Sequence, residues 1–93
     1  MNPMAKHAEV AHFIQGLIRT EKARRKLTFE DISQRLRQYG IHQTPTNLRT
    51  KLGRGDMSAQ LFLALMKVLG LRSIRLEELE LKVVRGKRKK EWD

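Results

Sequence analysis

The chain has 93 residues, which suits one domain with one modest hydrophobic core. Lys plus Arg number 20 against 10 Asp plus Glu, a net charge of +10, and this balance favours a polyanionic partner: DNA, RNA or an anionic surface. The absence of Cys excludes disulfides, thiolate chemistry and Cys-based zinc sites.

No apolar signal-peptide core follows the opening Met-Asn-Pro-Met-Ala-Lys-His, and no apolar run approaches the roughly 20 residues that span a bilayer. The expectation is a cytoplasmic protein with no membrane contact.

The first element is a helix over Ala5–Arg25, because Val10, Phe13, Ile14, Leu17 and Ile18 recur at one face of a 3.6-residue period. Glu9, His12, Gln15, Arg19 and Lys22 fall on the other face, and Gly16 offers a place for another helix to approach closely. The second helix starts after Thr28, with Glu30 and Asp31 in its first turn and Asp31 placed for a capping box. Phe29, Ile32 and Leu36 face inward, and Tyr39-Gly40 ends it.

Thr44-Pro45 opens a third helix, Thr as N-cap and Pro at the first helical position. Leu48 and Leu52 make its narrow buried stripe, and the turn at Gly53–Asp56 closes it. Ser58 caps a fourth helix, in which Leu61, Phe62, Leu65, Val68 and Leu69 share a face and Gly70 ends the run. That helix is apolar enough to be central. Between residues 74 and 84, Ile74, Leu76, Leu79, Leu81 and Val83 read either as a strand or as a short helix. A strand there would need a partner, which a second copy of the chain could supply. Arg85–Asp93 is a basic tail expected to be disordered. The expected organisation is therefore an all-α helical bundle over 1–73, a dimer contact at 74–84 and a tail at 85–93.

The third helix carries the functional signal. Outside its leucine stripe it presents Thr44, Thr46, Asn47, Arg49, Thr50 and Lys51. These types suit base edges in a major groove: cations for guanine, Asn for adenine, Thr for hydrogen bonds and the thymine methyl. No acid lies between Asp31 and Asp56, so nothing there repels phosphate. Arg24, Arg25, Lys26, Arg35, Arg37, Arg54 and the tail are candidates for phosphate contacts, which carry affinity but not sequence information.

The segments Lys26–Leu36, Gly40-Ile41, Asn47–Gly55 and Ser58–Leu71 together resemble the Cro/phage-repressor, or lambda-repressor-like, helix-turn-helix family. The points of likeness are Leu27-Thr28, Arg54-Gly55 and the Leu65–Leu71 ending. The same span, about residues 14–72, is similar to a small bacterial domain family of unknown function built on this fold. The resemblance implies four to five helices, a reading helix at 44–53 with Thr44, Thr46, Asn47, Arg49, Thr50 and Lys51 toward the groove, Lys26, Thr28 and Arg54 near the phosphate backbone, and a transcriptional regulator bound to duplex DNA. Two departures stand out: the turn from Leu36 to Leu48 is longer than usual, and Ser33 replaces the Ala common in the second helix.

Other chemistry is weakly represented. His7, His12 and His42 are scattered, Ser33, Ser58 and Ser73 lack a His–Asp set, and Gly53-Arg54-Gly55 is a turn and not a phosphate loop. Glu77, Glu78 and Glu80 read as solvent-facing. No enzyme, metal, cofactor or small-molecule ligand is expected. Two other readings stay open: a protein–protein adaptor or antitoxin-like module using residues 74–84, and RNA or non-specific polyanion binding through the tail.

Overall fold

The computed structural model describes residues 8–83. The chain forms four α-helices, α1 (Ala8–Arg24), α2 (Phe29–Arg37), α3 (Pro45–Arg54) and α4 (Ala59–Leu69), followed by a single 3-10 turn at Leu76–Glu78. The all-α expectation holds, and the segment expected to begin α1 before Ala8 lies outside the described residues.

Side chains at the helix starts explain where three of the helices begin. The Thr28 hydroxyl accepts the Asp31 amide at 3.0 Å, and the Asp31 carboxylate accepts the Thr28 amide at 2.8 Å. That reciprocal box satisfies two N–H groups that the helix itself leaves free. Thr44 accepts the Asn47 amide at 3.0 Å, and Ser58 accepts the Leu61 amide at 3.1 Å.

The capping box makes stability depend on pH. The backbone and side-chain hydrogen bonds from Thr28 hold the Asp31 carboxyl below its usual value. A depressed folded pKa contributes stability that is full above the ordinary carboxylate range and lost as pH falls through the folded value. Thermal melts across an acid series should therefore fall less steeply for Asp31→Asn than for the native chain. Identical slopes would remove the box from the acid response.

The core joins all four helices. Ile18 of α1, Ile32 and Leu36 of α2, Leu48 and Leu52 of α3, and Leu61, Leu65, Met66 and Leu69 of α4 form one buried cluster. α1 and α2 each pack on both α3 and α4. α4 supplies more of the cluster than any other helix, as its apolar sequence implies, although its Leu63 is exposed.

α1 is rotated from its expected orientation. Its buried residues are Ala11 and Ile18, while Ile14 and Leu17 are half-buried against the core. Gly16 is not a point of close approach: a Cβ there would meet nothing within 4 Å. The close approach is at Gly55, the α3 C-cap at φ +65°, where a Cβ would fall 2.6 Å from the Ala11 carbonyl oxygen.

Beyond α4, Leu71 donates its amide to the Met66 carbonyl at 3.0 Å, closing the helix end. Ile74 packs against the core. The alternation read as strand or helix resolves into one 3-10 turn between residues of extended backbone, Arg75 and Leu79. No strand occurs among the described residues, because nothing lies alongside to complete a ladder. Glu77 and Glu78 pair with Arg75 at 2.9 and 3.6 Å, so this acidic cluster is part of a local ion pair on the surface. Val84 and the basic stretch 85–93 lie outside the described residues.

Candidate nucleic-acid interface

α3 has the buried stripe that its sequence implies and little else inside. Leu48 and Leu52 are its only buried residues, while Thr46, Asn47, Arg49, Thr50 and Arg54 are exposed and Lys51 is half-buried. Asn47 keeps its side chain free of any recorded partner among the described residues, since it is its amide that bonds Thr44. Thr44 itself is a cap, and its hydroxyl oxygen accepts that bond.

Three contacts anchor α3. The Gln15 amide nitrogen donates to the Leu52 carbonyl at 3.0 Å and to the Gly53 carbonyl at 2.8 Å; the helix end leaves Gly53 open, whereas Leu52 also accepts the Gly55 amide. Gly55 lies directly on Ala11. At the other end, the Ser33 hydroxyl donates to the Gln43 carbonyl at 2.6 Å. Ser33 is 1% exposed, and its hydroxyl ties the seven-residue connection 38–44 to the middle of α2. The long connection is thus held by a buried donor, which Ser33 provides.

The cationic candidates separate into two groups. Arg25 donates to the Gly70 carbonyl at 3.3 Å and pairs with Glu21 at 3.0 Å, and Arg35 donates to the Val68 carbonyl at 2.7 Å. Both guanidiniums sit at the C-terminal end of α4, where positive charge suits the helix dipole. They brace the end of α4. Arg24 also pairs with Glu21, at 3.5 Å, and Thr28 is committed to its cap. Arg37 touches Ser33 at 3.3 Å and stays exposed. Lys26, in left-handed backbone at φ +56°, and Arg54 are exposed, with no ion pair among the described residues.

Three contributors were missed in the sequence. Gln15 and Lys22 fall on the face of α1 assigned to solvent, and Phe29 reads simply as core. In the fold, the Lys22 ammonium lies 4.7 Å and the Arg49 guanidinium 5.1 Å from the Phe29 ring centroid. The signal was present at Ala11, Gln15, Ile18 and Lys22, which share a helical face. Its mixed polarity hides it from a hydrophobicity pattern.

Among the described residues, no group of three His, Asp or Glu is placed to hold a metal ion, and no helix is long and apolar enough to cross a membrane.

The class defined by this geometry is a small all-α domain whose third helix is anchored at both ends and outwardly polar and cationic. The chain belongs to the DUF6471 family, a domain of unknown function whose model matches residues 11–74. No curated protein and no solved structure matches it significantly.

Proposed function

We propose that the chain binds duplex DNA as a transcriptional regulator of the lambda-repressor-like kind, laying α3 in the major groove. The observation that carries this reading is α3 itself: a two-leucine buried stripe, an exposed face of Thr46, Asn47, Arg49 and Thr50, and no acid from residue 32 to 55. A solvated surface helix needs none of the bracing that Gln15, Ser33 and Gly55 provide. A helix that reads base edges does, because its side chains must be held in register with the groove.

Thr46, Asn47, Thr50 and Lys51 are the base-edge residues in this reading, and Lys26, Arg37 and Arg54 address phosphates. Asn47→Ala should weaken binding to the preferred duplex by about 1–3 kcal/mol and relax the preference at one position. Arg54→Ala should weaken all duplexes by a common factor. Fluorescence anisotropy against a panel of duplexes measures both. Equal affinity for every sequence, before and after Asn47→Ala, removes base reading and leaves a non-specific binder.

Exposure of Leu76, Leu81 and Val83, at 66%, 67% and 90%, favours a second reading in which residues 74–84 contact another copy of the chain or a protein partner. It replaces the first if no duplex binds at low salt and truncation after Ser73 abolishes self-association in sedimentation.

A further inference from the structure

We propose that Lys22 of α1 and Arg49 of α3, each held against the ring of Phe29, form a clamp for the phosphodiester backbone flanking the groove. This rests on the duplex-binding reading and assigns two roles that the sequence did not suggest: Lys22 enters the interface, and Arg49 holds backbone rather than reading a base.

Three elements meet at this point. Phe29 is the first residue of α2, and its half-buried ring has the Lys22 ammonium at 4.7 Å and the Arg49 guanidinium at 5.1 Å from its centroid. Aromatic rings attract cations electrostatically, Arg more often than Lys. The ring holds both cations near it without neutralising either. Neither forms an ion pair among the described residues. Glu21, next to Lys22, is taken by Arg24 and Arg25, and Asp31 is taken by the Thr28 amide. Glu30 is the one other carboxylate in the first turn of α2, and it is exposed to solvent.

A strand backbone passing the ring offers each cation a phosphate. The bonds from the core helices to the Leu52, Gly53 and Gln43 carbonyls keep α3 at a fixed distance from α1 and α2, so the pair is organised before any ligand arrives. The chemistry that fits is a phosphate oxygen, which Arg contacts through paired N–H groups and Lys as a point charge. Thr46, Asn47 and Thr50, exposed on the same helix as Arg49, make the bound anion part of a nucleic-acid strand rather than a free ion. A guanidinium drawn over Phe29 at the start of α2 is held toward the strand backbone, and its stacking fixes the docking register rather than the sequence.

The test uses the full chain and its variants Lys22→Ala, Lys22→Arg, Arg49→Ala and Phe29→Leu, with labelled duplexes of several sequences titrated over a range of salt. Lys22→Ala and Arg49→Ala should each reduce the steepness of the log–log salt dependence by about 0.9 and weaken all duplexes alike. Lys22→Arg should restore the native slope. Phe29→Leu, with folding checked by circular dichroism, should weaken every duplex about two- to five-fold. The alanine variants at the two exposed or half-exposed cations keep the test valid if Phe29→Leu unfolds. An Arg49→Ala variant that changes the order of preferred sequences at unchanged slope overturns the clamp, as does a Lys22→Ala variant with the native slope. Absence of duplex binding by the native chain overturns both the clamp and the reading beneath it, whereas binding with unaltered slopes overturns the clamp alone.

Discussion

Replacing Gly55 with Ala is expected to lower the melting temperature by roughly 10–30 °C, a large effect for adding one methyl group to a small domain. Two penalties act together. Gly55 holds φ +65°, and left-handed backbone costs a residue with a Cβ roughly 1–2 kcal/mol. The new methyl would also lie 2.6 Å from the Ala11 carbonyl oxygen and 2.7 Å from the Ala11 Cβ. Backbone cannot swing aside as a flexible side chain does, so α1 and the end of α3 must separate, at about 1–3 kcal/mol for overpacking. Together these reach about 2–5 kcal/mol, against a total stability of about 5–15 kcal/mol for a typical domain.

Gly53 provides the control two residues away. It lies within α3, and a Cβ there meets nothing within 4 Å. Gly53→Ala should therefore raise stability by about 0.5–1 kcal/mol through the lower entropy of the unfolded chain. Circular dichroism melts of both variants decide the matter. Equal melting temperatures for the two would mean that α1 and α3 do not meet at Ala11.

Duplex binding is expected to weaken several hundredfold between about 50 and 200 mM salt. Lys22, Lys26, Arg37, Arg49 and Arg54 are the cations assigned to phosphates, and none has a carboxylate partner among the described residues. If each neutralises one phosphate, counterion release gives a log–log slope near about −4.5, equivalent to about 4 kcal/mol over that range. Arg25 and Arg35 are excluded because their guanidiniums hold the end of α4. Alanine at either should lower stability and leave the slope alone. Removing residues 85–93 should shift affinity while preserving most of the slope. Loss of all binding on that removal would assign the interaction to the tail and favour a general polyanion contact.

The start of each of α2, α3 and α4 was legible because it is chemically local. Thr28, Thr44 and Ser58 each stand three residues before the amide they cap, a spacing set by helix geometry whatever lies around it. The leucine stripe of α3 was legible for the same reason: Leu48 and Leu52 are four apart, with polar residues filling the rest of the turn. The C-terminal stretch was not, because period two and a short helical period coincide over so few residues. Only the folded path of the chain, a 3-10 turn at Leu76–Glu78, decides it.

The polar, acid-free surface of α3 was therefore determined by the order of residues alone. Which of the surrounding cations stay available was decided by the tertiary structure. Arg35 and Arg37 are two residues apart and look alike in the sequence, yet Arg35 reaches the Val68 carbonyl while Arg37 remains at the surface beside Ser33. The orientation of α1 belongs to the same class. Val10, Phe13, Ile14, Leu17 and Ile18 define its most apolar face, but the face that meets α3 runs through Ala11, Gln15, Ile18 and Lys22. Burying apolar area is only one of the demands on that helix. Its partner ends in an open carbonyl, Gly53, that needs a donor and in a glycine that needs a small neighbour. Those demands arise only once α3 is in place, so hydrophobic periodicity in α1 has no record of them.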